Sequence, residues 1–476
     1  MTAEAPAQAP ADDPWTLPVA MKRSSFVPLH PADADCNVEV DPAGAGSFFT
    51  PRPELLAHTD HQLIPDGNAR GRLGSGRAVF LGGRYLKGVG RTPLAANWGV
   101  AGEERHSSGH LLPTAAAREY LVSRYLERAG CGDAIVACTG LLARPLPPGG
   151  ERAVVDSMPH PLDEEIATID LRYQAISVKR GGFCRFSNFT WSLHHVEARA
   201  NHVGELILRF HRRLWPDAPL AEEDCTPRRF VADLAAAIER GFDNCRRFLA
   251  AGVFWGLVDN NFTADGRFLD LEVPVVLGGP TFGVVTEGRQ AGALHAGSRW
   301  VGLEAVGFAH NVRLFLADLR AQLRFLIAAP VLHAPIVHRF AAAIVRELDR
   351  VIPASHVARS PKALARWTET MIADEFALGP RARQRLREVV TARVRYFAES
   401  YEGEVTPMAL RYEPLRLAQY VPGKRLHFHH PDWVPPLPKD ALERAERWNA
   451  QLEIIDGALS LDDWFARIRR AECELS

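Results

Sequence analysis

The sequence predicts an α+β protein with two lobes, in which a strand-rich first half is followed by a helical second half. Short apolar segments between Gly- and Pro-rich turns recur up to about residue 200, including a strand predicted at residues 175–179. Beyond residue 200 apolar residues recur at spacings of three and four, most clearly over residues 230–250, as in amphipathic helices. With 476 residues, the chain is too long for one small core.

Four parts of the chain are predicted from these patterns. Residues 1–47, rich in Ala, Pro, Gly and Asp, are expected to be disordered or irregular. Residues 48–200 form the strand-rich lobe, with one helix over residues 113–129, and residues 201–410 form the helical lobe. Residues 411–476 carry accessory helices, the last of which begins after Ser460, a good N-cap. Further helices are predicted at residues 311–328, 336–351, 361–376, 382–400 and 439–452.

Charge and composition limit the partners. The formal net charge of -1 gives no general attraction to nucleic acid or to an anionic membrane. Seven cysteines are scattered singly, without a CxxC pair, as in reduced cytosolic proteins. The first residues lack the basic and apolar regions of a signal peptide, and the best apolar run, residues 325–337, is too short for a bilayer. We therefore expect a cytoplasmic protein without nucleic-acid or membrane partners.

A Gly-rich stretch at residues 73–94 reads LGSGRAVFLGGRYLKGVGRTPL. Glycines let the backbone approach a ligand closely, and their amides together with Lys87 suit a phosphate group. An ordinary hairpin is the alternative interpretation. In the helix predicted at residues 113–129, Glu119 lies on the flank of the apolar face. It could reach a lysine on a neighbouring strand, or it could be a solvated surface residue.

A second polar cluster follows the first long helix. Asp259, Asn260 and Asn261 come after an apolar pair, and residues 264–267 are a tight-turn signal. Residues 268–273 alternate, which predicts a strand with Asp270 and Glu272 on one face. An Asn and an Asp held across a hairpin are oxygen ligands that suit Mg²⁺ together with phosphates. A solvent-facing hairpin with an acidic face is the alternative.

The order of these parts is informative. In a protein-kinase-like fold, a strand-rich lobe with a Gly loop and a lysine is followed by a helix with a glutamate, and then by a helical lobe with an Asn and an Asp. This chain has the same order of parts, with Lys87, Glu119, Asn261 and Asp270. We therefore predict a kinase-like, two-lobed fold.

The chain also resembles the selenoprotein O family of pseudokinases, which are protein adenylyltransferases. The resemblance rests on LGSGRA at residues 73–78, on LKGVGRTP at residues 86–93 and on AREYL at residues 117–121 with Ser123. It continues through the Arg-Phe pair that begins at Arg185 and through the hairpin at residues 256–270. It covers residues 48 to about 285.

This resemblance implies a reaction and a set of binding residues. ATP is bound with Mg²⁺ (or Mn²⁺) in a flipped orientation, and AMP is transferred to a hydroxyl acceptor, expected on a protein Ser, Thr or Tyr. A small-molecule nucleotidyl- or phosphotransferase and a catalytically weak ATP-binding pseudoenzyme are the alternatives. The resemblance implies ATP contacts for Gly74, Gly76, Arg77, Lys87, Gly88, Arg91, Glu119, Lys179, Arg180, Arg185 and Asp270.

Within that set, Lys87 would bind phosphates and pair with Glu119. An upstream phosphate-binding arginine of the family falls at Lys179 or at Arg180, and the choice stays open. Asn261 and Asp270 match the two Mg²⁺ ligands.

The catalytic loop departs from the family pattern. Where the family has His-Gly-Val-x-Asn-Thr-Asp-Asn, this chain has WGLVDNN at residues 255–261, which is one residue shorter. With Asn261 as the metal ligand, Asn260 takes the position of the catalytic aspartate, and an amide cannot accept a proton as a carboxylate can. Asp259 is the alternative base if the loop shifts by one residue.

Overall fold

The structure is a computed structural model of a mixed α+β protein. It describes residues 18–41, 56–59, 77–92, 109–151, 167–185, 226–251, 261–272, 335–351 and 439–474, with short pieces and single positions within 211–214, 253–254, 275–276, 308–324 and 380–384. The chain divides into two compact units: Met1–Gly182, Asp270–Ala293 and Glu443–Ser476 form the first, and Phe183–Leu269 and Leu294–Leu442 form the second. Among the described helices, none combines the length and the apolar content that crossing a bilayer requires.

The first unit is built on an antiparallel sheet of eight strands. In chain order these are β1 Pro18–Arg23, β2 Val27–Pro28, β3 Val38–Val40, β4 Leu56–Thr59, β5 Ala78–Leu81, β6 Arg84–Lys87, β7 Cys138–Pro145 and β8 Tyr173–Arg180. Across the sheet their order is β2-β7-β8-β6-β5-β4-β1-β3. The strand predicted at residues 175–179 is confirmed as the middle of β8.

The two faces of this sheet differ in chemistry. Leu86, Ile176 and Val178 join a core of buried apolar residues that includes strands β1 and β3. Because side chains alternate along a strand, Lys87 and Lys179 lie on the opposite face. The sheet is thus apolar on one face and carries two lysines on the other.

The described part of the Gly-rich stretch is a β-hairpin. Strands β5 and β6 are joined by Gly82 and Gly83, which both have positive φ angles of 56° and 75°. A two-residue turn of this kind matches the twist of the flanking strands and favours glycine. Gly74 and Gly76 lie outside the described residues.

Helix α1, Pro113–Leu126, packs on the face that carries the lysines, and it confirms most of the helix predicted at residues 113–129. Its start is fixed by Asp170 of the short helix α2, Thr168–Arg172. The Asp170 carboxylate accepts hydrogen bonds from the Thr114 amide at 3.0 Å and the Thr114 hydroxyl at 2.7 Å. The Ser123 hydroxyl donates to the Glu119 carbonyl at 2.7 Å and accepts from the amide of Cys138 at 2.9 Å, which ties α1 to β7.

In the second unit, helices α3, Pro227–Ala250, and α4, Pro335–Val351, confirm the helices predicted at residues 230–250 and 336–351. The short strand β9, Val253–Phe254, follows α3. The ring of Phe308 packs on Phe242 of α3 at a centroid distance of 4.9 Å and on Phe262 at 4.7 Å. Of the helix predicted at residues 311–328 only scattered positions are described, all helical, and the helices predicted at residues 361–376 and 382–400 lie almost entirely outside the described residues.

The remaining elements are the short strand β10, Val275–Val276, and helices α5, Lys439–Asp456, and α6, Leu461–Glu474. The prediction that α6 begins after Ser460 is confirmed, because the Ser460 hydroxyl accepts the amide of Asp463 at 3.2 Å. These helices had been predicted as an accessory part, but residues 443–476 belong to the first compact unit. They contact α1 directly: Arg118 pairs with Asp456 at 2.9 Å.

The prediction of an irregular segment at residues 1–47 is wrong for residues 18–41. This segment contains β1, β2, a 3-10 helix at Pro31–Cys36 and β3. Its Pro and Asp residues mark turns, whereas the alternating apolar residues Val19, Met21, Val38 and Val40 are buried in the core. The prolines interrupt the sequence pattern, so the short alternation of apolar residues did not predict strands. Pairing with neighbouring strands stabilises these segments.

Gly88 offers a test of the sheet geometry. Its φ angle is 101°, and a Cβ atom there would lie 2.7 Å from the Cβ atom of Leu111 and closer still to the carbonyl oxygen of Ala175. We expect Gly88→Ala to lower the free energy of unfolding by on the order of 3 kcal/mol. Gly82→Ala is the matched control, because Gly82 also has a positive φ but nothing within 4 Å of its added Cβ. It should cost about 1 kcal/mol. Urea unfolding measures both, and equal losses would contradict the clash.

Candidate functional site

Two lysines lie side by side on the polar face of the sheet. In the antiparallel pair of β6 and β8, Lys87 is opposite Ser177 and Tyr85 is opposite Lys179, so the two lysines are diagonal neighbours. Lys87 is 3% exposed and Lys179 is fully buried. Burying an ammonium group is costly unless an anion pairs with it. The fold must therefore bring carboxylates to this face.

Helix α1 supplies the first carboxylate. The Glu119 carboxylate, which is 1% exposed, forms an ion pair with the ammonium group of Lys179. The expected pair of Glu119 with Lys87 is therefore wrong for this structure. The reason is the position of the helix, which packs over β7 and β8 and so over Lys179. The alternative of a solvated Glu119 is also excluded.

A short turn at residues 270–272 supplies two more carboxylates. The ammonium group of Lys87 donates to Asp270 Oδ1 at 2.8 Å and also to Glu272 Oε1. Asp270 Oδ1 also lies 3.1 Å from the Lys179 ammonium, so that it bridges both lysines. The amide of Leu271 donates to Glu119 Oε1 at 3.3 Å. Five charged side chains from four separate segments thus form one cluster.

The strand predicted at residues 268–273 is not formed over its described residues, 268–272. Asp270 has a φ angle of 59°, in the left-handed region, and Leu271 and Glu272 form a turn. Asp270 is therefore outside the extended conformation that an alternating strand needs. The two carboxylates nevertheless reach the same lysine, because the turn brings them together.

Carboxylates outnumber ammonium groups in the described part of the cluster. In the ion pairs seen there, three carboxylates meet two ammonium groups. Carboxylate oxygens of Glu119, Asp270 and Glu272 lie within 4.8 Å of one another. Glu119 Oε2 and Glu272 Oε2 are buried and have no hydrogen-bond partner in the part of the chain that the structure describes. Hard oxygen donors with unused lone pairs are the ligands that Mg²⁺, Mn²⁺ and Ca²⁺ prefer, so these residues fit a divalent cation.

The pKa values follow from these contacts. Burial alone would raise the pKa of Glu119, but Lys179 and Lys87 outweigh it and hold the pKa below its ordinary value. Burial raises the pKa of Glu272, and the carboxylates of Glu119 and Asp270 add to this against the opposing effect of Lys87. Burial opposes the charge on Lys179, but Glu119 and Asp270 raise its pKa. The Lys179–Glu119 pair is therefore ionised, whereas Glu272 binds a proton more readily than an ordinary glutamate.

Other predicted ligand residues of the first unit lie at or just beyond the ends of strands β5, β6 and β8. Arg77 donates to the carbonyl oxygen of His110 at 2.8 Å, and its own carbonyl accepts the amide of Gly88 at 2.8 Å. Arg91 and Arg180 are exposed. The two candidates for the upstream phosphate ligand therefore differ in position. Lys179 lies in the charged cluster, whereas Arg180 lies on the other face of β8.

Two predicted site residues belong to the second unit. Arg185 is buried and forms an isolated antiparallel bridge with Thr263. The main-chain oxygen of Asn261 accepts the amide of Leu269 at 3.0 Å. Asp259 and Asn260, the alternative catalytic residues, lie outside the described residues.

Sequence reasoning missed Lys179 as the partner of Glu119, and it left the role of Glu272 open. The sequence did contain a pattern that could have predicted the position of Lys179. Alternation along β8 places Ser177 and Lys179 on one face and the apolar Ile176 and Val178 on the other. No comparable signal existed for Glu272, since its contact depends on the left-handed conformation of Asp270.

In comparisons with known proteins, no protein-family model and no curated protein matches the chain. The resemblance to the selenoprotein O family therefore stays a prediction from the quoted motifs. The class that the described fold and site define is an α+β protein with a buried cluster of lysines and carboxylates on one face of an antiparallel sheet.

Removing the Lys179 ammonium should destabilise the protein, because the buried Glu119 carboxylate then loses its ion-pair partner. We expect Lys179→Met to lower the free energy of unfolding at pH 7 by about 3–5 kcal/mol. Because the folded-state pKa of Glu119 is lowered, its ionised form stabilises the protein above the ordinary glutamate pKa, and this contribution is lost as the pH falls through the lowered value. The difference between wild type and variant should therefore shrink below about pH 4.

Urea unfolding at pH 7 and at acid pH measures this difference. The double variant Lys179→Met with Glu119→Gln is the control, since it removes both charges and should recover part of the loss. A loss that is the same at every pH would assign the effect to packing instead.

Proposed function

We propose that this protein is a Mg²⁺- and ATP-dependent nucleotidyltransferase of protein-kinase-like fold that moves AMP from ATP to a hydroxyl acceptor, expected on a protein. The observation that carries the proposal is the cluster in which Lys87, Lys179, Glu119 and Asp270 meet. Protein kinases have the same order of residues along the chain, in which a strand lysine is followed by a helix glutamate and then by an aspartate.

The chemistry asks for little covalent participation by the protein. Transfer from ATP is accelerated mainly by positioning and by stabilising negative charge on the phosphates. Lys179 forms an ion pair with Glu119, so it would act by holding α1 and the turn at residues 270–272 in place. Lys87 is the lysine suited to bind phosphate oxygens, because its partners Asp270 and Glu272 lie on this short turn.

The aspartate of the turn would help to hold the metal ion. Asp270 is the ligand common to the resemblance and to the cluster, and Asn261 is the second ligand that the resemblance implies. When bound, Mg²⁺ supplies neutralisation of phosphate charge. Lys87 and Asp270 are now paired with each other at 2.8 Å, so binding of a nucleotide would exchange this contact for contacts with phosphate and metal.

The preference for AMP transfer over phosphoryl transfer comes from the resemblance to the selenoprotein O family. Incubation with ATP labelled at either the α- or the γ-phosphate tests it. We expect label from the α-phosphate to remain on the acceptor and label from the γ-phosphate not to. Retention of γ-label would mean a phosphotransferase, and ATP binding without either label would mean a pseudoenzyme. A chain that does not bind ATP would contradict the proposal.

Variants test the assignment of residues. Lys87→Ala and Asp270→Ala should each lower the label transferred by at least about 100-fold, because each removes charge stabilisation at the phosphates. Lys22→Ala is the matched control, since Lys22 is also a strand lysine paired with a carboxylate but is exposed on β1. Asn260→Asp should keep or raise the activity, because a carboxylate can accept the hydroxyl proton. Full activity in Lys87→Ala would overturn the assignment.

A further inference from the structure

Glu272 is a charged residue that the proposed reaction does not yet use. Its carboxylate pairs with Lys87 through Oε1, and its other oxygen, Oε2, is buried and has no hydrogen-bond partner within the described residues. An unsatisfied buried carboxylate oxygen is costly, so it calls for a partner. Two more atoms share this condition, namely Glu119 Oε2 of helix α1 and Ser177 Oγ of the polar sheet face. Ser177 is the residue opposite Lys87 in the sheet.

The charge of the cluster points to the kind of partner. Because carboxylates outnumber ammonium groups among the described ion pairs of the cluster, a cation is the partner that suits it. A divalent cation would add positive charge beside these carboxylates. The cluster with a bound cation therefore suits the polyphosphate of a nucleotide better than the cluster without one.

The geometry fits such an ion. Ligand oxygens of Glu119, Asp270 and Glu272 lie within 4.8 Å of one another. A cation bound at about 2.0–2.6 Å from each oxygen separates its ligands by at most about 5 Å. The left-handed conformation of Asp270 is what turns two carboxylates, two positions apart, toward this point. The amide of Leu271 holds the turn against Glu119.

We infer that Glu272 and Asp270, with the unused oxygen of Glu119, form a divalent-cation site within the first compact unit that fills before nucleotide binds. The site differs from the pair Asn261 and Asp270 that the resemblance implies, because its ligands come from α1 and the turn alone. Its connection to catalysis rests on the proposed function, whereas the binding of the ion does not. Lys179 acts in it as the counter-ion that positions Glu119 and Asp270.

The experiment uses the full chain, freed of metal with a chelator and titrated with Mn²⁺ in the absence of nucleotide. Electron paramagnetic resonance of the unbound Mn²⁺ gives the affinity directly. We expect wild type to bind Mn²⁺ and Glu272→Gln to bind it at least about 10–100-fold more weakly, the loss seen even when outer partners of a metal site are removed.

Glu39→Gln is the matched control. The Glu39 side chain is 17% exposed, against 16% for Glu272, and each pairs with a lysine of the sheet. Because Glu39 lies on β3, outside the cluster, its substitution should leave the Mn²⁺ affinity unchanged. Circular dichroism checks that each variant is folded. If Glu272→Gln does not fold, Glu272→Asp replaces it, since it keeps the charge but withdraws the oxygens and should also weaken binding.

The outcomes separate this inference from the proposed function. Absence of Mn²⁺ binding to wild type without nucleotide, or equal affinity in the folded Glu272 variant and wild type, overturns the cation site even if AMP transfer is observed. Mn²⁺ binding that depends on Glu272 in a protein that does not bind ATP supports the site and overturns the proposed function. The two readouts, Mn²⁺ affinity and label transfer, are therefore independent.

Discussion

The burial of Lys179 is the constraint on which the first unit depends. An ammonium group with no exposed surface must have anions beside it, and no residue of its own strand provides one. Glu119 therefore has to lie over β8, which sets the position of α1 on the sheet. Asp270 has to approach as well, although it is 91 residues away from Lys179 in the chain. One buried charge thus ties a strand, a helix and a distant turn together.

Helix α1 is held from its other side by the end of the chain. Arg118 and Tyr120 flank Glu119 and contact Asp456 and Glu472, each at 2.9 Å. Because these contacts come from α5 and α6, the C-terminal helices help to fix the helix that presents Glu119. The C-terminal part of the chain is thus connected to the charged cluster through two neighbouring residues of one helix.

The two lysines of the cluster differ in the residues that pair with them. Lys179 is paired with Glu119 of helix α1, whose carboxylate also accepts the amide of Leu271. Lys87 is paired with Asp270 and Glu272, which lie on a short turn. A lysine whose partners can be exchanged is the better candidate for binding a ligand. This difference supports assigning the phosphate contact to Lys87 and the structural role to Lys179.

By itself the sequence determined the mixed α+β class, strand β8 and the helices α1, α3, α4 and α6, because these follow from local periodicity. Residue chemistry also marked Lys87, Glu119 and Asp270 as candidate site residues. It did not determine the strands within residues 18–41, because they are short and depend on pairing with distant strands. Nor did it determine which lysine pairs with Glu119, because that depends on where α1 packs across the sheet. Only the tertiary structure decided that Asp270 leaves the extended conformation, since a left-handed non-glycine residue is stabilised by its surroundings and not by its own sequence.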